Sequence, residues 1–378
     1  MDIKEFVSGN YKQQYKYKSF SPSFINIDWE VTDFSLVGIL SLANNKLGEL
    51  NAYSRLIPDV DFFIKMHIRK EATQSSRIEG TQTNMEDALK KSENISPEKR
   101  DDWEEVQNYI SAMNFAVNEL SNIPISTRLL KQAHNILLKG TRGKNKQPGE
   151  FRKSQNWIGG ASLNDATFIP PHHSEINHLM SDLEKFIHNE FNKLPLVLKA
   201  GIAHYQFETI HPFLDGNGRI GRLLITLLLI DNGMLTKPSL YLSDFFEKHR
   251  QLYYDNLSRA RTNNDLTQWL KFFLEGVYQT SNNAIDTFKN IIELKTNVEL
   301  NRIVKLGKKV KTAQNMLNYL YSQPLVDSGD VVNILGINNS TAARLIDDFI
   351  NLGILEEITG FKRNRIFIFK EYLNLFEK

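Results

Sequence analysis

HPFLDGNGRIGR, residues 211–222, precedes a largely apolar run at 223–230. The apolar run predicts a buried helix, and the two glycines that flank Asn217 allow positive backbone angles that turn successive N–H groups toward one point. The helix N-terminus adds unpaired N–H groups and the positive end of a dipole. We therefore expect an anion-binding pocket where this helix begins.

Four polar side chains in this stretch suit phosphate chemistry. Arg219 and Arg222 are three residues apart, so we expect both on one face of the first helical turn, where they would bind phosphate oxygens. Asp215 borders the pocket and suits a divalent metal held mostly by phosphates and water. His211 stands just before the pocket, in the position of a general base.

Two other interpretations of the stretch are weaker. Residues 216–221 also match G-x-G-x-x-G, but the dinucleotide fingerprint follows a β-strand, and residues 195–210 predict a helix. A glycine-rich loop with solvated arginines would not explain an Asp, an Asn and a His beside the same helix start. We therefore favour a phosphate-transfer site.

The pattern H-P-F-x-D-G-N-G-R-x-x-R resembles the signature of the Fic family at every motif position, and the similarity extends from about Phe34 to the end of the chain. The resemblance implies an enzyme that transfers AMP from ATP to a Ser, Thr or Tyr hydroxyl of a target protein, including itself, and releases pyrophosphate. It also implies His211 as the catalytic base and Asp215 as the ligand of Mg²⁺, with Mn²⁺ as an alternative.

The resemblance further implies how ATP is bound. Asn217 would contact the α-phosphate, Arg219 and Arg222 the outer phosphates, and Tyr254, favoured over Tyr253, would line a flat slot for adenine. The predicted ATP-binding residues are Gly216, Asn217, Gly218, Arg219, Ile220, Gly221, Arg222 and Tyr254.

A second stretch, residues 166–171, corresponds to the flap of the family, a short hairpin to which an extended target segment can pair by strand addition. We predict docking at Thr167, Phe168 and Ile169. His172, His173 and His178 follow, but no carboxylate pattern supports a metal site there.

Residues 75–80, SSRIEG, match the inhibitory motif of the family through Ser75, Glu79 and Gly80. Glu79 would lie in the last turn of its helix, where the dipole disfavours a carboxylate. A cation would offset this cost, and the resemblance nominates Arg222.

The composition is that of an ordinary globular protein of 378 residues, with a formal net charge of +2 and no cysteine. Disulfides, thiolate metal sites and a cysteine nucleophile are therefore excluded. Residues 1–20 contain no apolar run typical of a signal peptide, and residues 223–230 are too few to span a membrane. We expect a cytoplasmic protein without a membrane anchor.

The predicted fold class is mainly α, a helical Fic fold with a β-hairpin flap, plus a C-terminal winged helix-turn-helix domain of α+β type. We predict an N-terminal helical region at 1–110, a catalytic domain at 111–280, a helical connector at 281–310 and the winged-helix domain at 311–378. Residues 1–30 are expected to form an irregular, loosely docked arm.

Other functions remain open. The same residues could remove AMP from a modified protein, with Glu79 positioning water, or use another phosphate donor, although the intact G-N-G-R loop disfavours a kinase-like variant. Residues 311–378 could instead bind nucleic acid, or a protein partner as in a homodimer. Asp347 and Asp348 on the expected recognition helix oppose binding to DNA. Basic residues that favour it are Lys305, Lys308, Lys309, Lys311, Lys362, Arg363 and Arg365.

Overall fold

The computed structural model describes residues 1–56, 60–140, 143, 145–361 and 363–377, and it confirms the mainly helical fold. Lys362 lies outside the described residues. The helices are α1 Phe34–Leu56, α2 Val60–Ile78, α3 Met85–Leu89, α4 Arg100–Glu119, α5 Thr127–Leu137, α6 Ile176–His188, α7 Leu196–Ile210, α8 Asn217–Asp231, α9 Ser243–Lys248, α10 Arg250–Asn263, α11 Leu266–Asn297, α12 Val310–Ser322, α13 Ser328–Leu335, α14 Asn339–Asn351 and α15 Lys370–Leu373. The strands are β1 Gly9–Gln13, β2 Lys18–Pro22, β3 Leu325–Asp327, β4 Glu356–Glu357 and β5 Ile366–Ile368.

Helices α7 and α8 form the centre of the molecule and pack against each other. Every residue of α7 from 197 to 210 is buried, as is nearly all of α8. A helix that is enclosed on all sides must be held by other elements, and α6, α11, α4 and α2 supply most of this shell. The 211–222 stretch therefore joins two fixed helices, which leaves its backbone little freedom.

The N-terminal arm is not irregular, and that prediction was wrong. Strands β1 and β2 form an antiparallel hairpin in which Gly9 pairs with Pro22 and Gln13 with Lys18. Phe20, Ile25 and Trp29 are buried, so this segment belongs to the core. The packing was not predicted because β1 is almost wholly exposed, and two of the buried residues of β2, Ser19 and Ser21, are polar.

The flap is smaller than a regular hairpin. Ile158 and Phe168 form a single antiparallel bridge, in which each N–H donates to the other residue's carbonyl. The opposite edge is partly covered, because the Phe20 N–H of β2 donates to the Ile169 carbonyl at 2.9 Å. The N-terminal hairpin thus extends the flap.

Two predicted domain boundaries fall inside single helices. The 110/111 boundary lies within α4, and the 280/281 boundary lies within α11, a 32-residue helix. The predicted connector therefore begins inside a helix of the catalytic region.

The C-terminal segment contains α12, α13 and α14 and a three-stranded sheet with the order β3-β5-β4. Strand β5 pairs antiparallel with β3 on one side and with β4 on the other. The segment packs on α2, where the rings of Phe63 and Tyr321 lie 5.4 Å apart and Arg69 donates to the Ser322 carbonyl. No described helix has both the length and the apolar character needed to cross a membrane.

Candidate active site

The loop from His211 to Gly216 is held by unusual backbone angles at both ends. His211 closes α7 with φ +49°, and Gly216 begins α8 with φ +74°. A Cβ at Gly216 would lie 3.0 Å from Leu137 Cδ2, so glycine suits both the angle and the space. As at any helix start, the first N–H groups of α8 have no partners within the helix, which is the property on which the predicted anion-binding pocket depends.

Asn217 holds this loop together. Its side chain is 2% exposed, accepts from the Phe213 N–H at 2.8 Å and donates to the Phe213 carbonyl at 2.9 Å. Asn156 donates to the same carbonyl. The Asn217 amide is thus engaged with the backbone of the loop, and the contact with the α-phosphate stays a prediction.

His211 is prepared to accept a proton. Its Nδ1 atom is buried and has no hydrogen-bond partner among the described residues. Burial, helped by the nearby cations Arg152 and Arg261, lowers the pKa of the imidazole to about 4. The ring is therefore neutral at pH 7, which is the state a general base requires.

Arg222 lies against the predicted inhibitory segment. Its Nε donates to Ser75 Oγ at 2.8 Å, and its Nη2 donates to the Ser75 carbonyl at 3.0 Å and to Glu79 Oε1 at 2.6 Å. Burial alone would raise the pKa of Glu79, but the Arg222 guanidinium outweighs burial and holds that pKa below its usual value. The predicted ion pair between Glu79 and Arg222 is thus confirmed.

Two glycines of α8 make this arrangement sterically feasible. A Cβ at Gly218 would lie 2.2 Å from Glu79 Oε1 and 2.9 Å from Arg222 Nη1. A Cβ at Gly221 would lie 2.3 Å from Glu208 Oε1. Any side chain at either position would push a carboxylate away from the helix start. Gly80, with φ +107°, follows the end of α2, as a glycine at a helix C-terminus should.

The two motif arginines have different partners. Arg219 donates from Nη1 to Glu105 Oε2 on α4 at 3.1 Å, and its Nη2 lies 3.8 Å from Asp215 Oδ1. Arg222, by contrast, is bound to α2. The two guanidinium groups thus have partners on different helices, although both lie close enough to Glu79 to lower the pKa of its carboxyl.

Asp215 is the carboxylate closest in sequence to the helix start, and 45% of its side chain is exposed. Its Oδ1 accepts from the Gly216 N–H at 2.6 Å. The described residues contain no group of three or more His, Asp or Glu side chains that could hold a metal. A single accessible carboxylate fits a metal whose remaining ligands are phosphate oxygens and waters.

Tyr253 and Tyr254 differ in environment. Tyr253 is 1% exposed and its hydroxyl hydrogen-bonds His204 Nε2 at 2.9 Å, so Tyr253 belongs to the core. Tyr254 is 36% exposed and lies near Glu79 and Arg222, and burial raises its pKa to about 12. Of the two rings, Tyr254 is therefore the one that can contact a ligand.

Two residues that sequence analysis missed fix the loop. His134 on α5 accepts at Nδ1 from the Gly149 N–H, hydrogen-bonds the Asp215 carbonyl through Nε2 at 3.0 Å, and stacks on Phe213 with ring centroids 3.8 Å apart. Since the carbonyl can only accept, Nε2 carries the proton. Burial lowers the pKa of His134 to about 4, so the ring is a neutral brace.

Arg152 is the second missed residue. It is 2% exposed, and it donates to the carbonyls of His211 at 3.0 Å, Pro171 at 2.6 Å and Ser154 at 3.2 Å. It therefore ties the base to the flap that carries Thr167, Phe168 and Ile169. Phe168 and Ile169 are themselves largely buried. No local pattern around position 152 could have revealed partners about 60 residues away.

Comparisons with known proteins agree with this geometry. Residues 38–118 match the Fic/DOC family N-terminal region, and residues 124–229 match the Fic/DOC family. The chain is 35% identical over 133 residues to a protein adenylyltransferase Fic of Culex quinquefasciatus, which covers 35% of this chain and 24% of that protein. It is 40% identical over 88 residues to a probable protein adenylyltransferase of Aquifex aeolicus, which covers 23% of this chain and 26% of that protein. The chain thus spans about a quarter of the length of these curated relatives.

Solved structures share the fold. A Fic family protein from Desulfovibrio desulfuricans superposes with a TM-score of 0.59 and 19% identity, over 90% of this chain and 97% of that one. Fic-1 from C. elegans, residues 134–508, gives a TM-score of 0.50 and 20% identity over 69% of this chain and 74% of that one. The chain therefore contains Fic/DOC domains in a Fic fold.

Proposed function

We propose, from the Fic/DOC domains that this chain contains, that the protein transfers AMP from ATP to a Ser, Thr or Tyr hydroxyl of a target protein and releases pyrophosphate. The observation that carries the proposal is the neutral His211 beside the unpaired N–H groups at the start of α8. A base next to an anion-binding helix start is what phosphoryl-type transfer from a nucleotide requires.

In the proposed reaction, the target hydroxyl oxygen forms a bond to the α-phosphorus while the bond from that phosphorus to the bridging oxygen of pyrophosphate breaks. The hydroxyl proton passes to His211, whose buried neutral ring is free to accept it. The N–H groups of residues 216–221 neutralise charge on the phosphate oxygens. Asp215 would hold Mg²⁺, which offsets phosphate charge when it is bound.

Binding of ATP would use the remaining predicted residues. Arg222 is the stronger candidate for the γ-phosphate, because its donors already hold an anion, the Glu79 carboxylate. Arg219 and Asp215 lie together at the other side of the helix start, where a metal-bound phosphate would meet both. Tyr254 offers a partly exposed ring for adenine.

We further propose that Ser75, Glu79 and Gly80 inhibit this transfer. Glu79 occupies a donor of Arg222 that the γ-phosphate would need, and both are anions that seek the same guanidinium. ATP could still bind, with its phosphates turned away from in-line attack. A displacement of about 1 Å is enough to slow a reaction roughly a hundredfold.

Target docking would use the flap at Thr167, Phe168 and Ile169. Since β2 already donates to the Ile169 carbonyl, a target strand has to pair outside that hydrogen bond or exchange with it. The N-terminal hairpin is thus part of the proposed docking platform.

Labelled ATP tests the proposal directly. The protein is incubated with cell lysate and with ATP that is labelled on either the α- or the γ-phosphate. A second reaction without lysate detects self-modification. Label on protein from the α position only supports AMP transfer. Label from the γ position, or from neither position even with the Glu79→Gly variant, would overturn it.

One observation favours a second candidate, the removal of AMP from a modified protein. Glu79 keeps 33% of its side chain exposed although it is paired with Arg222, so its carboxylate can reach a water near His211. Loss of AMP from a labelled target in the presence of wild-type protein but not of Glu79→Gly would support this activity.

The acidic Asp348, which binds Lys309 at 2.5 Å, disfavours nucleic acid as a partner of the C-terminal segment.

A further inference from the structure

Arg261, in the last turn of α10, is a buried cation that forms no ion pair with any described carboxylate. It is 7% exposed, and its one hydrogen bond within the described part of the chain runs from Nε to Thr209 Oγ1 at 3.2 Å. Its guanidinium lies 4.1 Å from the centre of the Phe168 ring. This ring and the C-terminal end of α10 offset part of the lost hydration. Buried arginines are nevertheless normally paired with an acid, so Arg261 is unusual.

Arg261 lies between the proposed base and the flap. Thr209, which accepts its hydrogen bond, precedes His211 by two residues on α7, and Phe168 belongs to the flap. The positive charge of Arg261 also acts on the imidazole of His211. An anion bound to Arg261 would therefore lie beside His211, on the side from which a target segment would approach.

Carboxylates of the surrounding elements do not neutralise Arg261. Glu208 interacts with it electrostatically without an ion pair, and burial raises the pKa of Glu208 to about 7, so Glu208 carries only part of a negative charge at neutral pH. On the flap, Asp165 accepts from two backbone N–H groups of its own turn. Glu175 is paired with Lys12 at 2.7 Å. The described part of the chain therefore supplies no full counter-charge.

The guanidinium group is also accessible. Nη1 and Nη2 of Arg261 have no hydrogen-bond partner among the described residues, and neither atom is fully enclosed. Their N–H groups are therefore available to an anion from outside. Arg152, the other cation beside His211, differs in this respect, because it donates to the carbonyls of His211, Pro171 and Ser154.

The rim of this region has the same sign of charge. Residues 6–27, which include the hairpin that extends the flap, contain Lys12, Lys16 and Lys18 but no Asp or Glu. Lys16 and Lys18 are exposed and form no ion pair with a described carboxylate. A positive rim attracts an acidic segment and repels a basic one.

We propose that Arg261 binds a carboxylate of the target protein and thereby selects hydroxyl groups that lie in acidic segments. The assignment rests on the proposed AMP transfer. The phosphates of ATP would have Arg219, Arg222 and the N–H groups of α8, which leaves the target as the source of an anion at the flap. In an extended segment, side chains two residues apart point to the same side. A hydroxyl directed at His211 would thus place an Asp or Glu two residues away near Arg261, where it could accept charge-assisted hydrogen bonds.

Identification of the modified sites tests the proposal. Cell lysate is incubated with ATP and with either the wild-type or the Glu79→Gly protein, and peptides that carry AMP are identified by mass spectrometry. We expect Asp or Glu to be enriched two residues before or after the modified hydroxyl, relative to unmodified hydroxyl residues of the same proteins. Sites without such enrichment, or enriched in phosphorylated residues instead, would overturn the role of Arg261 while AMP transfer stands. If no site is modified, the proposed function fails and this assignment fails with it.

Variants then locate the contact. The protein that is modified most strongly is prepared as it is and with the neighbouring acid changed to the matching amide. Arg261→Gln should lower kcat/KM for the acidic target by about tenfold or more, mainly through KM, and should change it little for the amide target. Arg261→Lys should retain part of the preference because it keeps the charge. Arg259→Gln, at an exposed position on the same helix, is the matched control and should behave like the wild type.

The comparison of targets separates recognition from structural support. If Arg261 only braces Phe168, Arg261→Gln will lower kcat/KM equally for the acidic and the amide target, which would overturn the proposal. Binding of a non-hydrolysable ATP analogue reports whether the variant is folded. If Arg261→Gln does not fold, the wild-type protein still decides the matter, because equal kcat/KM for the two targets would exclude a contact with the carboxylate.

Discussion

The Glu79 carboxylate lies against Gly218 so closely that a Cβ at position 218 would stand 2.2 Å from Glu79 Oε1. Arg222, one turn further along α8, donates to the same oxygen at 2.6 Å. The end of α2 and the start of α8 therefore contact each other through the Glu79 carboxylate. Changes on either helix should alter the proposed transfer in a linked way.

The first prediction concerns Glu79→Gly. Loss of the Glu79 carboxylate frees the Arg222 donor for the γ-phosphate. AMP transfer and self-modification should therefore rise at least tenfold, because one hydrogen bond to a charged group contributes about 1.5–3 kcal/mol. Initial rates of label transfer from α-labelled ATP measure the effect. Glu93→Gly, at an exposed position outside the site, is the control and should leave the rate unchanged.

Adding Arg222→Ala to Glu79→Gly should cancel the gain, because the freed guanidinium is what would order the γ-phosphate. Unchanged or lower transfer by a folded Glu79→Gly protein would refute the inhibitory role. If that variant instead loses the ability to remove AMP from a modified target, the removal activity takes precedence.

Gly218→Ala tests the steric fit. The added methyl group would displace the Glu79 carboxylate, so transfer should rise several-fold in the wild-type background. In the Glu79→Gly background the same change has no carboxylate to displace, and its methyl group still lies 2.9 Å from Arg222 Nη1, so transfer should not rise. Rates for the four proteins form a double-mutant cycle. A fall in transfer in both backgrounds would mean that the methyl group blocks the phosphates instead.

His211→Ala should abolish AMP transfer while ATP still binds, because the base acts on the proton of the target and not on the nucleotide.

Since burial lowers the pKa of His211 to about 4, the ring stays neutral down to about pH 5. Transfer by Glu79→Gly should therefore be steady from pH 8 to pH 6 and decline below about pH 5. A midpoint near 6.5 in folded protein would contradict a buried neutral base.

Asp215→Ala should remove the dependence of transfer on Mg²⁺ together with most of the activity. Asp215 is the accessible carboxylate at the helix start, and no other described group completes a metal site. Rates are measured across a Mg²⁺ titration in the Glu79→Gly background, with Asp231→Ala at the far end of α8 as the control. Full activity of Asp215→Ala at low Mg²⁺ would exclude Asp215 as the metal ligand.

Glu208 should make stability depend on pH. Burial raises its pKa to about 7 from the usual 4.5 of a glutamate, so its contribution to stability is present below about pH 4.5 and is lost as the pH rises through 7. Glu208→Gln removes this loss. Urea unfolding should find the variant more stable relative to wild type at pH 8 than at pH 5, by about 2–3 kcal/mol. An equal difference at both pH values would show that Glu208 is not a desolvated acid.

Much of the helical fold could be predicted because its signals are local. The apolar residues of α2 and α7 predict helices. Gly80 marks the end of α2, and Gly216 marks the start of α8. Errors arose where a tertiary partner decides the outcome. The polar-looking β1–β2 hairpin forms because Phe20 is buried against the flap, and α11 continues past 280 because α1 packs along it.

The sequence by itself determined which chemical groups this protein can use. They are a histidine, a carboxylate and two arginines around a glycine-rich helix start, and a glutamate in a segment that resembles the inhibitory motif of the Fic family. These depend on residue type and on backbone angles that a few neighbouring residues impose. Only the tertiary structure decided how they are used. It paired Arg219 with Glu105 on α4 and Arg222 with Glu79 at the end of α2, and it brought Arg152 to His211. A side chain takes its hydrogen-bond partners from whichever helix packs beside it, and that choice is not encoded within any local stretch.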